Sequence, residues 1–541
     1  MSFDLMITAG KIIDGTGNPW YRADIGIQDG QIAKIGQLDV RAEREIDAIG
    51  MIVCPGFVDP HNHSDVTFLL NNKVESMVHQ GVTTMVVGQC GVSLAPMIPE
   101  REEFFRQIIP LYAPKEHIET MGWRSFAEYL NTVEQSGLSA NAAFLVGHAT
   151  VRVGVMEFDR RAPTPRELET MKELVDEAMR AGAFGLSSAL ALAPGAYARP
   201  NELSELLKVV GRYGGAYFAH IRDEANTVVE SLKEAIKIGE SAGIPVQIAH
   251  FKALGKQNWG RTTETLKLLE EANTQGFEVY ADQYPFRAAS VYLSIVLPPW
   301  AHEGGTDKLL ERLRTPEELA RIRRDIESES DEWQNVIHGC GYNGILVTCV
   351  RTEQNKELEG KSLAEIAEIR GAPDPFSVTV DLLLEESADI VMVFFGMAED
   401  DVKRVMKHPY TMVGTDGWAV APQGPLSGGK PHPRTYSTYP RILRKYVREE
   451  GVLSLEEAIR KMTSFPAQRL RLQDRGVIRE GMWADIVVLD PETIRDNATF
   501  TTAHKFPSGI PFVLVNGVPI IDEGHHTGAT PGKILRWQIR K

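Results

Sequence analysis

Strand-like runs and amphipathic helices alternate through the centre of this chain at a period of about thirty residues, the size of a unit joining two parallel strands. Three consecutive units carry the pattern. Pro200 to Tyr213 reads as a helix and Gly215 to His220 as a buried strand. Thr227 to Ala242 and Pro245 to His250 repeat the pair, and Arg261 to Thr274 and Phe277 to Asp282 repeat it again. Earlier strands fall at Gly56 to His63, Thr83 to Gly88, Ala142 to Gly147 and Ala183 to Ser188, and a last one at Thr411 to Asp416. Eight such strands predict an α/β fold, a closed TIM-like (β/α)8 barrel and not an open sheet. The stretch 290–405 is too long for one unit. With its charged, helical segment Thr315 to Ser330, it is expected as an insertion over the barrel mouth.

Both ends read differently. Leu5 to Ile7, Asp24 to Ile27 and Gln31 to Ile35 are short strands cut by Gly10, Gly15 and the hairpin signal Asp29-Gly30. Ala484 to Leu489, then Pro511 to Val515, Asn516-Gly517 and Val518 to Ile521, repeat that style near the C-terminus. We expect residues 1–56 and 476–541 to pair into one small β-sandwich flanking a catalytic barrel over 57–475.

The 541 residues are 43% apolar and 24% charged, enough to build a large core and incompatible with wholesale disorder. A formal charge of -15, with no basic patch, argues against nucleic acid as a partner. The basic run Arg441 to Arg448 has helical spacing and acidic neighbours at Glu449 and Glu450, as a solvated helix face would. Four cysteines do not make a disulfide framework. No signal-peptide pattern and no apolar run of spanning length is present, so a soluble cytoplasmic protein without a membrane partner is expected.

Parallel barrels carry their chemistry at the C-terminal ends of the strands. Those ends read Asp59-Pro60-His61-Asn62-His63, Gly88-Gln89-Cys90-Gly91, His220-Ile221-Arg222-Asp223-Glu224, His250-Phe251-Lys252, Asp282-Gln283-Tyr284-Pro285 and Gly414-Thr415-Asp416-Gly417. His61 and His63 are two apart in an extended segment, so both rings face one side. A lone histidine pair is usually surface, a lone thiol usually inert core, and an Asp before Gly an ordinary helix cap. Converging on one barrel face, however, His61, His63, Cys90, His220, His250 and Asp416 form a donor set suited to zinc. Asp416 is the group expected to orient and deprotonate a nucleophilic water. Cys54, Cys340 and Cys349 lie outside the strand ends and read as packing residues.

The run Pro55 to His63 resembles the opening signature of the amidohydrolase superfamily. Gly88 to Gly91, Gly147 to Arg152, Pro194 to Ala198, His220 to Glu224, Ala249 to Lys252, Asp282 to Pro285, Thr415 to Gly417 and His432 to Tyr436 resemble its N-acyl-D-amino-acid deacylase (D-aminoacylase) branch, in order and over nearly the whole chain. The resemblance implies hydrolysis of a small-molecule N-acyl-D-amino acid to a carboxylate and a free D-amino acid. It implies a tight zinc on Cys90, His220 and His250, a second, weaker or empty site at His61 and His63, and Asp416 as the catalytic aspartate. Lys252 and Tyr284 match positions that grip the substrate α-carboxylate. Cyclic amidases of the superfamily use a carboxylated lysine on strand four; here that strand reads Phe184 to Ala189 with no lysine, and Cys90 would take its place.

Arg222 and Glu224 are expected to support His220, and His432 and Arg434 to bind substrate from a mobile loop behind the glycine-rich stretch 423–429. Arg287 stands alone before an apolar run, Ala288 to Leu297. It is a candidate contact for an acidic side chain, although the run itself favours hydrophobic D-residues. A hydantoinase-like cyclic amidase, a D-dipeptidase using the same site and an inactive scaffold are the competing readings; the scaffold is disfavoured because every ligand is present. Oligomeric state is left open, a homo-oligomer included.

Overall fold

The computed structural model describes residues 2–109, 121–328 and 331–538. Five N-terminal strands, β1 (Phe3–Ile12), β2 (Tyr21–Gln28), β3 (Gln31–Gly36), β4 (Ala42–Asp47) and β5 (Ile52–Pro55), lead into the barrel. The barrel strands are β6 (Phe57–Asp59), β7 (Val82–Val87), β8 (Asn141–Phe144) continued by β9 (Val146–Gly147), β10 (Gly185–Ala189), β11 (Ala216–His220), β12 (Val246–Ile248) and β13 (Val279–Gln283). After an insertion carrying β14 (Ala288–Tyr292), β15 (Ile345–Cys349) and β16 (Val391–Phe395), β17 (Thr411–Val413) completes it.

Parallel pairing runs β6-β7-β8 and β9-β10-β11-β12-β13-β17. The ring closes between first and last strands: the Asp416 amide donates to His61 O at 2.8 Å and the His63 amide to Gly417 O at 2.8 Å. The closure therefore lies at the site itself. Local sequence explains the alternation. The helix Pro165–Ala181 starts at Thr164, which exchanges hydrogen bonds with Glu167 in a capping box, has Pro at its first position and stops at Gly182 with φ 112°. Its Met171, Val175, Ala178 and Met179 are buried at helical spacing. The barrel strands are buried nearly end to end, as strands flanked by helices must be.

The chain ends join through β5, which pairs antiparallel with β18 (Ile486–Leu489). With β19 (Phe512–Val515), β20 (Val518–Asp522) and β21 (His525–His526) they make one nine-stranded sheet. The sandwich takes the form of this single sheet dividing at β1, whose first half pairs with β4 and whose last residues pair with β5, over a core including Ile7, Ile27, Ile486 and Leu514.

One expectation needs correction. The final residues do not stay in the sheet domain: β22 (Ile534–Leu535) runs parallel to β8, and Trp537 donates to Gly182 O and Tyr213 O. The step from β8 to β9 leaves the edge of Ala142 and Ala143 open, and the tail fills it. The insertion carries strands besides its charged helix. Its three strands form an antiparallel sheet, order β14-β16-β15, with a separate core including Leu293, Ile322, Val347 and Met392. The expected charged helix is Pro316–Glu327; residues 329–330 of that stretch lie outside the described residues. No helix among the described residues is long and apolar enough to cross a membrane.

Candidate metal and catalytic site

The strand ends bring His61, His63, Cys90, His220, His250 and Asp416 together. Three overlapping triads, His61/Cys90/His250, His61/His63/Asp416 and His220/Glu224/His250, each hold their ligand atoms within 4.8 Å of one another. His61 thus belongs to both halves of the cluster, and Glu224 adds a carboxylate that the sequence suggested only as a support.

His61 and His250 are each aimed by a carboxylate behind the ring. His61 Nδ1 lies 3.0 Å from Asp282 Oδ1; a proton held there leaves Nε2 free to face Cys90 Sγ at 3.4 Å and Asp416 Oδ1 at 3.4 Å. His250 Nε2 is 3.5 Å from Cys90 Sγ and 3.1 Å from His220 Nδ1. Its Nδ1 is 2.9 Å from Glu224, which also takes the Lys252 ammonium at 2.5 Å. His63 Nε2 is 3.0 Å from Asp416 Oδ1, its ring packed against Trp418.

The sharp turn presenting Cys90 runs Gly88-Gln89-Cys90-Gly91. Gly88 sits at φ 79°, and a Cβ there would come within 2.3 Å of Leu145 O, so only glycine fits. Ser187, buried in the middle of β10, spans the turn: its Oγ accepts from the Gly91 amide at 3.0 Å and donates to Gly88 O at 2.5 Å. Strand four, β10, carries no lysine and instead supplies the hydroxyl that fixes the cysteine.

Charge balance favours a cation. Burial alone would push the Cys90 thiol up, but His61, His250 and His220 hold it well below its ordinary value. Burial likewise opposes ionisation of Asp416, and Arg434, His61 and His250 outweigh it, so this carboxyl is also held low. Conversely, the surrounding anions overcome burial to raise His61 well above the usual imidazole range and His63 to about 9. A buried thiolate and carboxylate neutralised by protons on imidazoles is a set in which a divalent metal can replace those protons.

Substrate-facing groups surround this cluster in a cavity of about 120 Å³. Lys252, Tyr284, Ser290 and Arg434 line it, together with Tyr292, Ile295, Val391 and Phe394 from the insertion. Arg434 reaches Asp416 Oδ2 at 2.7 Å and stacks over the Tyr284 ring at 4.7 Å. The buried Tyr284 hydroxyl makes no well-formed hydrogen bond to any described residue, and it lies in the cavity wall.

Three sequence expectations fail here. Arg287 does not reach the cavity: Phe286 and Ala288 are buried on either side, so its side chain, 61% exposed, turns to solvent near Glu399. His432 is not aimed at substrate, since Nε2 bonds Ala288 O and Nδ1 accepts the Arg434 amide, each at 3.0 Å. It fixes the loop that carries Arg434. Arg222 binds Glu234 and the carbonyls of Ala196 and Ala198, away from His220. Sequence reasoning assigns no role to Asp282 or Asp59. Asp282 binds His61, the His250 amide and Gln247; Asp59 binds Asn62, the His61 amide and Thr415. Their position at strand ends was the available signal.

Comparisons with known proteins agree with this geometry. The profile of the amidohydrolase family matches residues 44–521. A D-aminoacylase from Alcaligenes xylosoxydans xylosoxydans is 35% identical over 537 residues, covering 98% of this chain and 97% of that protein. The crystal structure of N-acyl-D-glutamate deacylase from Bordetella bronchiseptica, complexed with zinc and a phosphonate mimic of the tetrahedral intermediate, superimposes with a TM-score of 0.82 at 34% identity, covering 99% of this chain and 100% of that one. A D-hydantoinase structure shares the fold alone, with a TM-score of 0.57 at 17% identity over the full length of both chains.

Proposed function

The chain belongs to the amidohydrolase family, and from that premise we propose that it hydrolyses the linear amide of N-acyl-D-amino acids, releasing a carboxylate and a free D-amino acid. The observation that carries this reading is Cys90, held by Ser187 within reach of His61 and His250, in a barrel whose strand four, β10, has no lysine. A D-hydantoinase structure, at 17% identity, is similar in fold.

Cys90, His220 and His250, with His250 3.5 Å from Cys90 Sγ and 3.1 Å from His220, would hold a tight zinc, and His61, His63 and Asp416 a second, weaker one. A thiolate with imidazoles at ligand spacing is chemistry that zinc takes. When bound, zinc supplies Lewis acidity, polarising the amide carbonyl and making water more acidic. Lys252, Arg434 and the unpaired Tyr284 hydroxyl bind the substrate α-carboxylate and set the amide beside Asp416. Asp416, ionised because its carboxyl is held low, accepts the proton of the attacking water as the new C–O bond forms. It then returns that proton to the amide nitrogen as the C–N bond breaks.

The D-residue side chain meets Tyr292, Ile295, Val391 and Phe394. Lys252 and Arg434, engaged by the substrate α-carboxylate, are the only Lys or Arg in the described lining of the groove, and Arg287 points away. An acidic side chain would lack a partner there, so hydrophobic D-amino acids are the preferred class.

Matched N-acetyl-D-methionine and N-acetyl-L-methionine, offered to zinc-loaded protein, test the assignment. Turnover of the D-form is expected, with Asp416→Asn lowering kcat by about 10²- to 10⁴-fold. Activity on neither enantiomer would refute it.

A further inference from the structure

We propose that a second chamber opening off the metal groove binds the acyl half of the substrate and makes this enzyme selective for acyl groups longer than acetyl, an inference that rests on the deacylase reading above. The chamber encloses about 510 Å³, within the usual range of ligand cavities. Helix Glu102–Ile108, helix His148–Met156, the turn following β10 and insertion residues 294–310 form its walls. It shares Cys90, Val92, Leu192, Tyr292 and Ile295 with the groove, so the two spaces meet at the metal ligands.

Substrate orientation follows from which residues are not shared. Lys252, Tyr284 and Arg434 line the groove and not the chamber. With the α-carboxylate held by them and the amide carbon beside Asp416, the acyl substituent leaves past Cys90 and Leu192 into the chamber. Its lining is mixed: the buried Phe158, Leu297 and Leu309 supply apolar wall, beside polar side chains including Arg106, Gln107, His302 and Gln334. The exposed Glu103 and Asp307 also line it. The apolar part of the wall suits a hydrocarbon chain, and the single methyl of an acetyl group leaves most of it unfilled. Burying one methylene raises kcat/KM by at most about fourfold if the gain is realised in the transition state.

The test is a series of straight-chain N-acyl-D-methionines from acetyl to hexanoyl with the full-length, zinc-loaded protein. Selectivity predicts that kcat/KM rises by at least about tenfold across the series. A flat or falling series, with N-acetyl-D-methionine still hydrolysed, overturns the chamber and leaves the deacylase assignment standing. No turnover of any member overturns the assignment itself. Ala149→Phe and Ser294→Phe place bulk in the chamber from separate walls. Each is read as the hexanoyl-to-acetyl ratio within one variant, which cancels any loss of folded protein. The ratio is expected to fall toward unity in both. An unchanged ratio in both would count against the proposal as firmly as a flat wild-type series.

Discussion

Ser187→Ala removes one oxygen that lies in neither the metal ligand set nor the substrate cavity. Ser187 is fully buried, and its Oγ bridges the Gly91 amide and the Gly88 carbonyl on either side of Cys90. Deleting it strands a buried donor and acceptor, each costing about 1–3 kcal/mol if nothing replaces the bond. The turn has reason to relax, because Cys90 sits at φ 50°, where a non-glycine residue costs roughly 1–3 kcal/mol unless its surroundings hold it. A bound metal must then pull the thiolate back. If about half the loss appears in metal affinity, the penalty is about 1–3 kcal/mol, or roughly five- to 150-fold. Cobalt makes this visible through the thiolate-to-metal charge-transfer band, with affinity read by chelator competition. Ser188→Ala is the control: on the same strand and equally buried, Ser188 bonds the Tyr217 hydroxyl at 2.6 Å. The reasoning is refuted if Ser187→Ala binds cobalt within twofold of wild type, or if Ser188→Ala weakens it as much.

Arg287→Ala should leave kcat/KM for N-acetyl-D-methionine within about twofold of wild type, since an exposed side chain near Glu399 contributes little; a tenfold loss in the kinetic assay would return Arg287 to the site. Acid should destabilise the fold through His79 and His302, whose imidazoles burial pushes down to about 4. Both are neutral when folded, so between pH 6.5 and pH 4 the unfolded chain binds more protons and stability falls with pH, by up to about 3 kcal/mol per histidine. Urea midpoints at pH 7 and pH 4.5 should converge in the double variant His79→Gln, His302→Gln; an equal drop in variant and wild type would show that other groups govern acid unfolding.

The barrel was legible because buried parallel strands and capped amphipathic helices write their periods directly into the sequence. Gly215 to His220 and Pro245 to His250 could hardly be anything but strands of a doubly covered sheet, and β11 and β12 lie within them. Once strands are placed, their C-terminal ends select the candidate ligands. What sequence could not supply was the partner of each side chain. Asp282 contacts His61 across 221 positions, and no local pattern reports such a pairing. The orientation of Arg287 is equally beyond local pattern: β14 begins one residue later, at Ala288, and a shift of one residue exchanges the two faces of a strand. The β14-β16-β15 sheet was missed because its strands are separated by helices and pair antiparallel, outside the βα rhythm that exposed the barrel.

The supports of the site hold backbone as well as side chains, and this explains how its unusual conformations persist. Cys90, His250 and Asp416 sit at φ 50°, 35° and 50°, all in the left-handed region that non-glycine residues avoid. Such strain endures only where neighbours over-determine it. Ser187 grips the turn at Cys90, Asp282 Oδ1 accepts the His250 amide at 2.7 Å, and His61 O accepts the Asp416 amide at 2.8 Å. Asp282 and His61 therefore each serve twice. Asp282 orients the His61 ring while pinning the His250 backbone, and His61 offers Nε2 to the cluster while its carbonyl fixes Asp416. The ligands are thus coupled through the main chain, and the loss of one support displaces its neighbours together. A damaged site of this kind keeps its full complement of ligands and still loses the geometry that hydrolysis requires.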